Sequence, residues 1–272
     1  MDLTGNAFVT GGGSGIGKAV CLGLAKEGAS GILIVDINLK AAEATATEAK
    51  AIASSPSFRV ETISTNVSVE ESVKEAVARM VQSFGRIDYC VHCAGVTIQS
   101  CTPISEASYS EFQNLISIHV NGTFLVTRHI TAVMQTQELK PIDMAIPQLG
   151  GTRGSIVNLG SILSHRASPG FVQYTASKHA VLGISRTAAL DHASFSIRVN
   201  CVCPTWVDTP LMDESMVIIP WLDKEIAVSG KPINRLCQPK EVADACLFLC
   251  SPRSSYISGI ALPIDGGQTT HF

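Results

Sequence analysis

What the chain lacks narrows its function before any motif is read. None of its apolar runs is long enough to cross a bilayer, although 46% of its 272 residues are hydrophobic and only 16% are charged. That balance predicts a soluble protein with a large core, and the length suits a single domain, 1–272. No basic segment, apolar segment and cleavage site follow one another at the start. Met1-Asp2-Leu3 runs at once into strand-like sequence, so no secretion signal is expected. Lysine and arginine are not clustered, and 20 basic against 23 acidic residues leave a net charge of −3, which argues against nucleic acid as a partner. The nine cysteines form no regular disulfide framework; Cys90, Cys201 and Cys203 sit in apolar runs where a free thiol behaves as a small hydrophobe. A reducing, cytoplasmic setting is expected. Cys90-Val-His-Cys93 looks like half of a zinc site, but no second ligand pair has matching spacing, and a strand would send the two thiols to opposite faces. No metal is predicted.

What is there is an alternation. Short β-rich runs at 7–10, 31–36, 59–63, 88–92, 155–159, 197–202 and 260–264 are separated by longer segments of helical periodicity, the pattern of βαβ units. The predicted fold class is α/β: a doubly wound, seven-stranded parallel sheet with helices on both faces, Rossmann-like. Pro263 predicts an edge position for the last strand. Two stretches break the rhythm. Residues 135–154, with Pro141, Pro147 and a Gly-Gly pair, lead into a strand's amino end and read as a surface insertion. Residues 208–232 follow a strand's carboxyl end, where ligand sites form, and carry Leu211, Met212, Met216, Val217, Ile218, Ile219 and Trp221. They read as a lid over an apolar substrate, the alternative being a core-packed helix or an oligomer contact.

The first strand leads into Thr10-Gly-Gly-Gly-Ser-Gly-Ile-Gly17 and then a helix. Glycine permits a tight turn and close backbone approach, and a helix amino terminus offers free N–H groups and partial positive charge to a pyrophosphate. Gly11, Ser14, Gly15 and Ile16 are therefore candidate contacts for a dinucleotide. Asp36 ends the second strand, where a carboxylate can accept hydrogen bonds from both ribose hydroxyls of NAD. A 2′-phosphate would meet like charge there, and Ile37-Asn38 offers no cation to offset it. NAD is predicted over NADP.

Farther on, Tyr174-Thr175-Ala176-Ser177-Lys178 places a phenol and an ammonium four apart, on one helix face, thirteen residues after Ser161. A phenol that ordinarily titrates near pH 10 needs a neighbouring cation to exchange protons near neutrality. With Cys93-Ala94-Gly95 closing the fourth strand, Asn200-x-x-x-Pro204 with Val207 and Thr209, and Asp265-Gly-Gly267, the chain resembles the short-chain dehydrogenase/reductase family over nearly its whole length. The resemblance implies Tyr174 as general acid/base, Ser161 orienting the substrate oxygen, and Lys178 lowering the tyrosine pKa while binding nicotinamide ribose. It implies further cofactor contacts at Ile37, Asn66, Val67, Ala94, Gly95, Pro204, Val207 and Thr209, and commonly a homotetramer, with residues 120–130 and 180–190 as plausible interface faces.

Four positions depart from the family pattern. His119 stands where an Asn usually holds a relay water, and is expected to take that role, the alternative being a core or surface histidine. Asn121, two residues on and about 200° around the helix, should face elsewhere. His92-Cys93 replaces Asn-Asn before Ala94. Asn66-Val67 replaces Asp-Val, with the Asn carbonyl free to accept from the adenine amino group. Thr205 replaces a Gly beside the nicotinamide. Crevice-edge segments carry Ile98, Ile162, Leu163, Phe171, Met212, Met216, Ile219 and Trp221, so the expected substrate is bulky and apolar, such as a terpenoid, steroid-like or polyketide alcohol. The expected reaction is NAD-dependent oxidation of a secondary hydroxyl. A silent NAD-binding sensor, or an isomerase, dehydratase or ketoreductase on the same scaffold, is the alternative.

Overall fold

Each buried strand needs apolar side chains on both faces, and the sequence supplies them in alternation. The structure, a computed structural model, describes residues 3–270; Met1 and Asp2 lie outside the described residues. Strands β1 (Asn6–Thr10), β2 (Gly31–Asp36), β3 (Arg59–Ser64), β4 (Tyr89–His92), β5 (Gly154–Leu159), β6 (Ile197–Pro204) and β7 (Ala261–Ile264) form one sheet in the order β3-β2-β1-β4-β5-β6-β7. Every pairing in it is parallel. This is the doubly wound arrangement, and Pro263 falls in the edge strand β7, where a missing N–H is tolerated.

In β1, Ala7 and Val9 face one core while Phe8 faces the other. The first core packs against α1 (Gly15–Lys26), α2 (Leu39–Ile52) and α9 (Pro239–Cys250), through residues such as Leu24, Ala46 and Leu247. The second packs against α3 (Glu70–Phe84), α5 (Gly122–Thr136) and α6 (Val172–His192), through Val77, Ile130 and Ala188. Cys90 and Cys93 belong to opposite cores, and among the described residues no group of three or more His, Cys, Asp and Glu is placed to hold a metal ion. No described helix is long and apolar enough to cross a membrane.

The helix boundaries follow local chemistry. α3 opens on Glu70 and Glu71, which favour the positive helix end, and stops at Gly85 in the left-handed region. α9 opens with Pro239 inside a Gln238/Glu241 capping box. α4 (Tyr109–Leu115) runs into α5 through a wider π-helical stretch, Ile116–Asn121, which carries His119. Within 135–154, Lys140–Pro141 and Gly151–Thr152 pair as a short antiparallel ribbon just before β5.

Residues 208–232 fold into α7 (Pro210–Ile218) and α8 (Lys224–Val228) above the carboxyl edge of the sheet. Their base is pinned by a bridge between Val207 and Cys237. Met212, Ile219, Leu222 and Ala227 pack with Ile98, Leu115 and Phe171 into a small core of their own.

Candidate active site

The strand order reverses between β1 and β4, and the carboxyl ends on either side open a crevice there. One arm of it, about 340 Å³, is lined by Gly11, Ser14, Gly15, Ile16, Asp36, Ile37, Asn66, Val67, Ala94, Gly95 and Thr209. These are eleven of the residues the sequence reading assigned to a dinucleotide. Backbone makes most of this wall. Gly11 has φ +64, and a Cβ there would stand 2.8 Å from the Ala94 nitrogen; at Gly17 a Cβ would land on the Gly11 carbonyl oxygen. Helix α1 begins with no side-chain cap and no acid in its first turn, so its amino end stays available to an anion.

Asp36 does more than face the arm. Its Oδ2 accepts from the Gly13 N–H at 2.8 Å and its Oδ1 from the Asn38 N–H at 2.9 Å, so the carboxylate braces the glycine turn while each oxygen keeps a second lone pair. Asn66 differs from expectation. Its Oδ1 already accepts from the Ser68 N–H and Oγ at 3.0 and 2.7 Å, which spends the carbonyl predicted to meet an adenine amino group and leaves the Nδ2 donors instead. The glycine cradle, free helix end and carboxylate fit a dinucleotide.

The second arm, about 370 Å³, shares Ile16, Cys93, Gly95, Val96, Thr209 and Leu211 with the first. Ser161, Tyr174, Lys178 and His119 all line it, as do Pro204 and Val207. Ser161 follows β5 as the cap of a short 3-10 turn. Its Oγ accepts from the Leu163 N–H at 3.1 Å, which leaves its own proton to be donated elsewhere. Burial pushes the Tyr174 phenol up to about 12, opposed by the Ser161 hydroxyl. One turn along α6, the Lys178 Nζ lies 5.5 Å from the Tyr174 ring centroid and donates to the Leu159 carbonyl at 2.9 Å. Burial brings Lys178 down to about 8, opposed by the thiols of Cys201, Cys203 and Cys93. The ammonium therefore stays charged at neutral pH with two N–H bonds unspent.

His119 is placed differently from a relay group. Its Nε2 accepts from the Val96 N–H at 3.0 Å, so the proton of the neutral ring sits on Nδ1 and points at Ser177 Oγ, 2.8 Å away. Ser177 Oγ in turn donates to the Tyr174 carbonyl at 2.8 Å. Burial, with the Lys178 charge nearby, holds His119 well below its ordinary pKa. Both ring nitrogens are hydrogen-bonded in tying the strand-end loop to α6, an arrangement that braces the loop rather than one laid out for the expected relay. Asn121 is exposed, as the helical geometry required. Thr205 turns its Oγ1 to Gln268 Oε1 at 2.5 Å, so the side chain that replaces glycine is held against the cavity wall.

Of the predicted apolar lining, Ile162, Leu163, Phe171, Met212 and Trp221 face the second arm. Ile98, Met216 and Ile219 do not; they belong to the small core behind it. Sequence reading missed Trp206, Leu211, Ile226, Thr97 and Ser215 as lining residues. Trp206 sits inside the Pro204 to Val207 run that was already singled out. Thr97 and Ser215, hydrogen-bonded at 2.7 Å, come from segments 118 residues apart and gave no local signal.

A family model described as enoyl-(acyl carrier protein) reductase matches residues 11–269. The chain is 51% identical over 269 residues to the short-chain dehydrogenase srdC of Neurospora crassa, covering 99% of this chain and 98% of that protein. Among solved structures, levodione reductase aligns with a TM-score of 0.87 at 30% identity over 98% of both chains. NAD⁺-bound xylitol dehydrogenase aligns with a TM-score of 0.84 at 28% identity, over 97% of this chain and 98% of that one.

Proposed function

The chain belongs to the short-chain dehydrogenase/reductase family, and from that premise we propose that it oxidises a secondary hydroxyl to a ketone, with NAD as cofactor, on a bulky and mainly apolar small molecule. The observation that carries this reading is the meeting of Ser161, Tyr174 and Lys178 in one cavity that shares walls with the Asp36 arm. When bound, the cofactor supplies the hydride acceptor. Ser161 donates to the substrate oxygen, and the Tyr174 phenolate takes the hydroxyl proton. Lys178 stabilises that phenolate, which burial alone disfavours. Asp36 supports NAD, because a 2′-phosphate would sit against a carboxylate with no cation beside it. Residues 208–232 act as the lid, contributing Met212, Trp221 and Ile226 to the cavity.

The same groups serve ketone reduction with protons and hydride moving the other way, and the name of the aligned levodione reductase favours that second direction. Nine free thiols fit a reducing, cytoplasmic setting. The groove between α5 and α6, lined by Phe124, Arg128, Ile184 and Asp191, is the face offered for a homotetramer.

The test is NADH absorbance at saturating NAD⁺ with hydrophobic secondary alcohols, run beside Tyr174→Phe. Turnover that falls roughly 10²- to 10⁴-fold in the variant, with NAD⁺ affinity kept, is the expected result. An unchanged rate in the variant would remove Tyr174 from the chemistry and the proposal with it.

A further inference from the structure

The chain has only two tryptophans, and both line the cavity beside Tyr174. Trp206 comes from the loop after β6, Trp221 from the connection between α7 and α8, and Phe171 joins them at the start of α6. Phe171 is the pivot. Its ring centroid lies 6.5 Å from that of Trp206 at an interplanar angle of 68°, and 6.2 Å from that of Trp221 at 59°. Both separations fall within the range of favourable edge-on and tilted ring pairs. The three rings brace one another into a corner of defined shape, whereas Leu163, Met212 and Ile226 supply adaptable aliphatic surface elsewhere in the cavity, beside polar groups such as Thr97 and Ser215.

Aliphatic walls accept any apolar group. An aromatic corner discriminates, because a flat ring can stack on one face and meet another edge-on, while a puckered saturated ring gains only the burial of its surface. Trp221 is 48% exposed, so a large indole surface meets water unless a ligand covers it. Phe171 precedes Tyr174 by less than one helical turn, which sets the corner next to the hydroxyl that Tyr174 and Ser161 would engage.

We propose that the substrate carries a planar unsaturated ring, aromatic or similarly flat, bonded directly to the carbon that bears the reacting oxygen. The position of that oxygen rests on the hydride-transfer reading; the preference for a flat ring rests on the three aromatic side chains.

Calorimetric titration of the full-length protein, with and without saturating NAD⁺, with acetophenone and with cyclohexyl methyl ketone isolates ring planarity at nearly constant size. Tryptophan emission, corrected for the light each ketone absorbs, reports whether binding occurs at the corner. Acetophenone should bind roughly tenfold more tightly than its saturated counterpart. In Trp221→Leu, whose partly exposed side chain can be removed without opening the core, the two affinities should converge while NAD⁺ affinity stays as it was. Trp206→Leu provides a second removal from the other side of Phe171. Equal affinities in the unaltered protein, no binding of either ketone, or a Trp221→Leu loss shared equally by both ketones would overturn the ring assignment. Absence of NAD⁺ binding would instead sink the hydride-transfer reading, and the titrations without cofactor would still decide the preference for a flat ring.

Discussion

The two arms of the crevice are built from different materials. The arm around Asp36 is walled by main chain: glycines at 11 and 17 let backbone approach backbone, and the start of α1 presents bare N–H groups. The arm around Tyr174 is walled by side chains drawn from β5, α6, the loop after β6 and residues 208–232. A backbone wall tolerates almost no substitution but demands only a few residue types, whereas a side-chain wall can be refitted one residue at a time. One scaffold can thereby hold its cofactor site constant while the neighbouring cavity changes.

The harshest break of that contrast is Gly17→Ala. The new methyl has no room beside the Gly11 carbonyl, so the turn must move. A cost of about 3 kcal/mol in denaturant unfolding is expected, together with loss of measurable NAD⁺ binding by calorimetry. A matching small change on the other arm, Leu163→Val, should leave NAD⁺ affinity within experimental error. Retained NAD⁺ binding in Gly17→Ala would mean that the backbone wall is softer than its geometry says.

Lys178→Met comes next and concerns a cation buried beside the Tyr174 phenol. Its folded pKa of about 8 lies below the ordinary 10.5, so between these values the unfolded chain holds a proton that the folded one has released. Stability from this group therefore rises with pH across that window; the unfavourable contribution is complete below pH 8, where it reaches roughly 3 kcal/mol. The stability difference between Lys178→Met and the unaltered protein should shift by that order between pH 7.5 and 10.5, while turnover collapses. A pH-independent difference would show that Lys178 is better solvated than its surroundings imply.

The contrast also explains what could be read in advance. All seven strands follow from alternation and apolar runs, since a doubly wound sheet buries its central strands on both faces. The backbone arm was legible because glycine spacing and a strand-end carboxylate are local signals, and Gly11, Gly15 and Asp36 line it together. The side-chain arm was legible where a motif fell on it, at Ser161, Tyr174 and Lys178, and only in part from crevice-edge apolarity, which found Ile162, Leu163, Phe171, Met212 and Trp221. Ile98 and Ile219 lie in crevice-edge segments yet turn away into a small core, because apolarity reports burial without saying which side of a wall a residue covers. Thr97 and Ser215 meet only through the fold, and Asn66 spends its carbonyl on Ser68 for a local reason that a family pattern does not carry.

Asp36→Ala sharpens the backbone arm from its polar side. Removing the carboxylate leaves the Gly13 and Asn38 N–H groups without their partner and deletes the expected ribose contacts, so NAD⁺ should bind about 10- to 100-fold more weakly. NADP⁺, relieved of like charge, should lose far less, and the ratio of the two affinities should move toward one. An unchanged ratio, measured by calorimetry, would place the discrimination elsewhere.

The smallest expected effect separates bracing from relay at His119, which touches both arms through Val96 and α6. The ring accepts from the Val96 N–H and donates toward Ser177 Oγ, a pair of roles that an Asn side chain can also supply. His119→Asn should therefore keep turnover within a fewfold, while His119→Phe leaves the Val96 N–H unpaired and should cost about 1–3 kcal/mol. Because the folded pKa lies below the ordinary 6.5, the unfolded chain takes up a proton that the folded one refuses as pH falls through 6.5. Stability from neutral His119 is complete above that pH and is lost below it, so His119→Asn should flatten part of the acid side of the stability curve. If the ring relayed protons, His119→Asn would instead displace the pH profile of kcat near neutrality; if it braces, that profile keeps its shape, and only the KM of His119→Phe rises as the Val96 loop loosens.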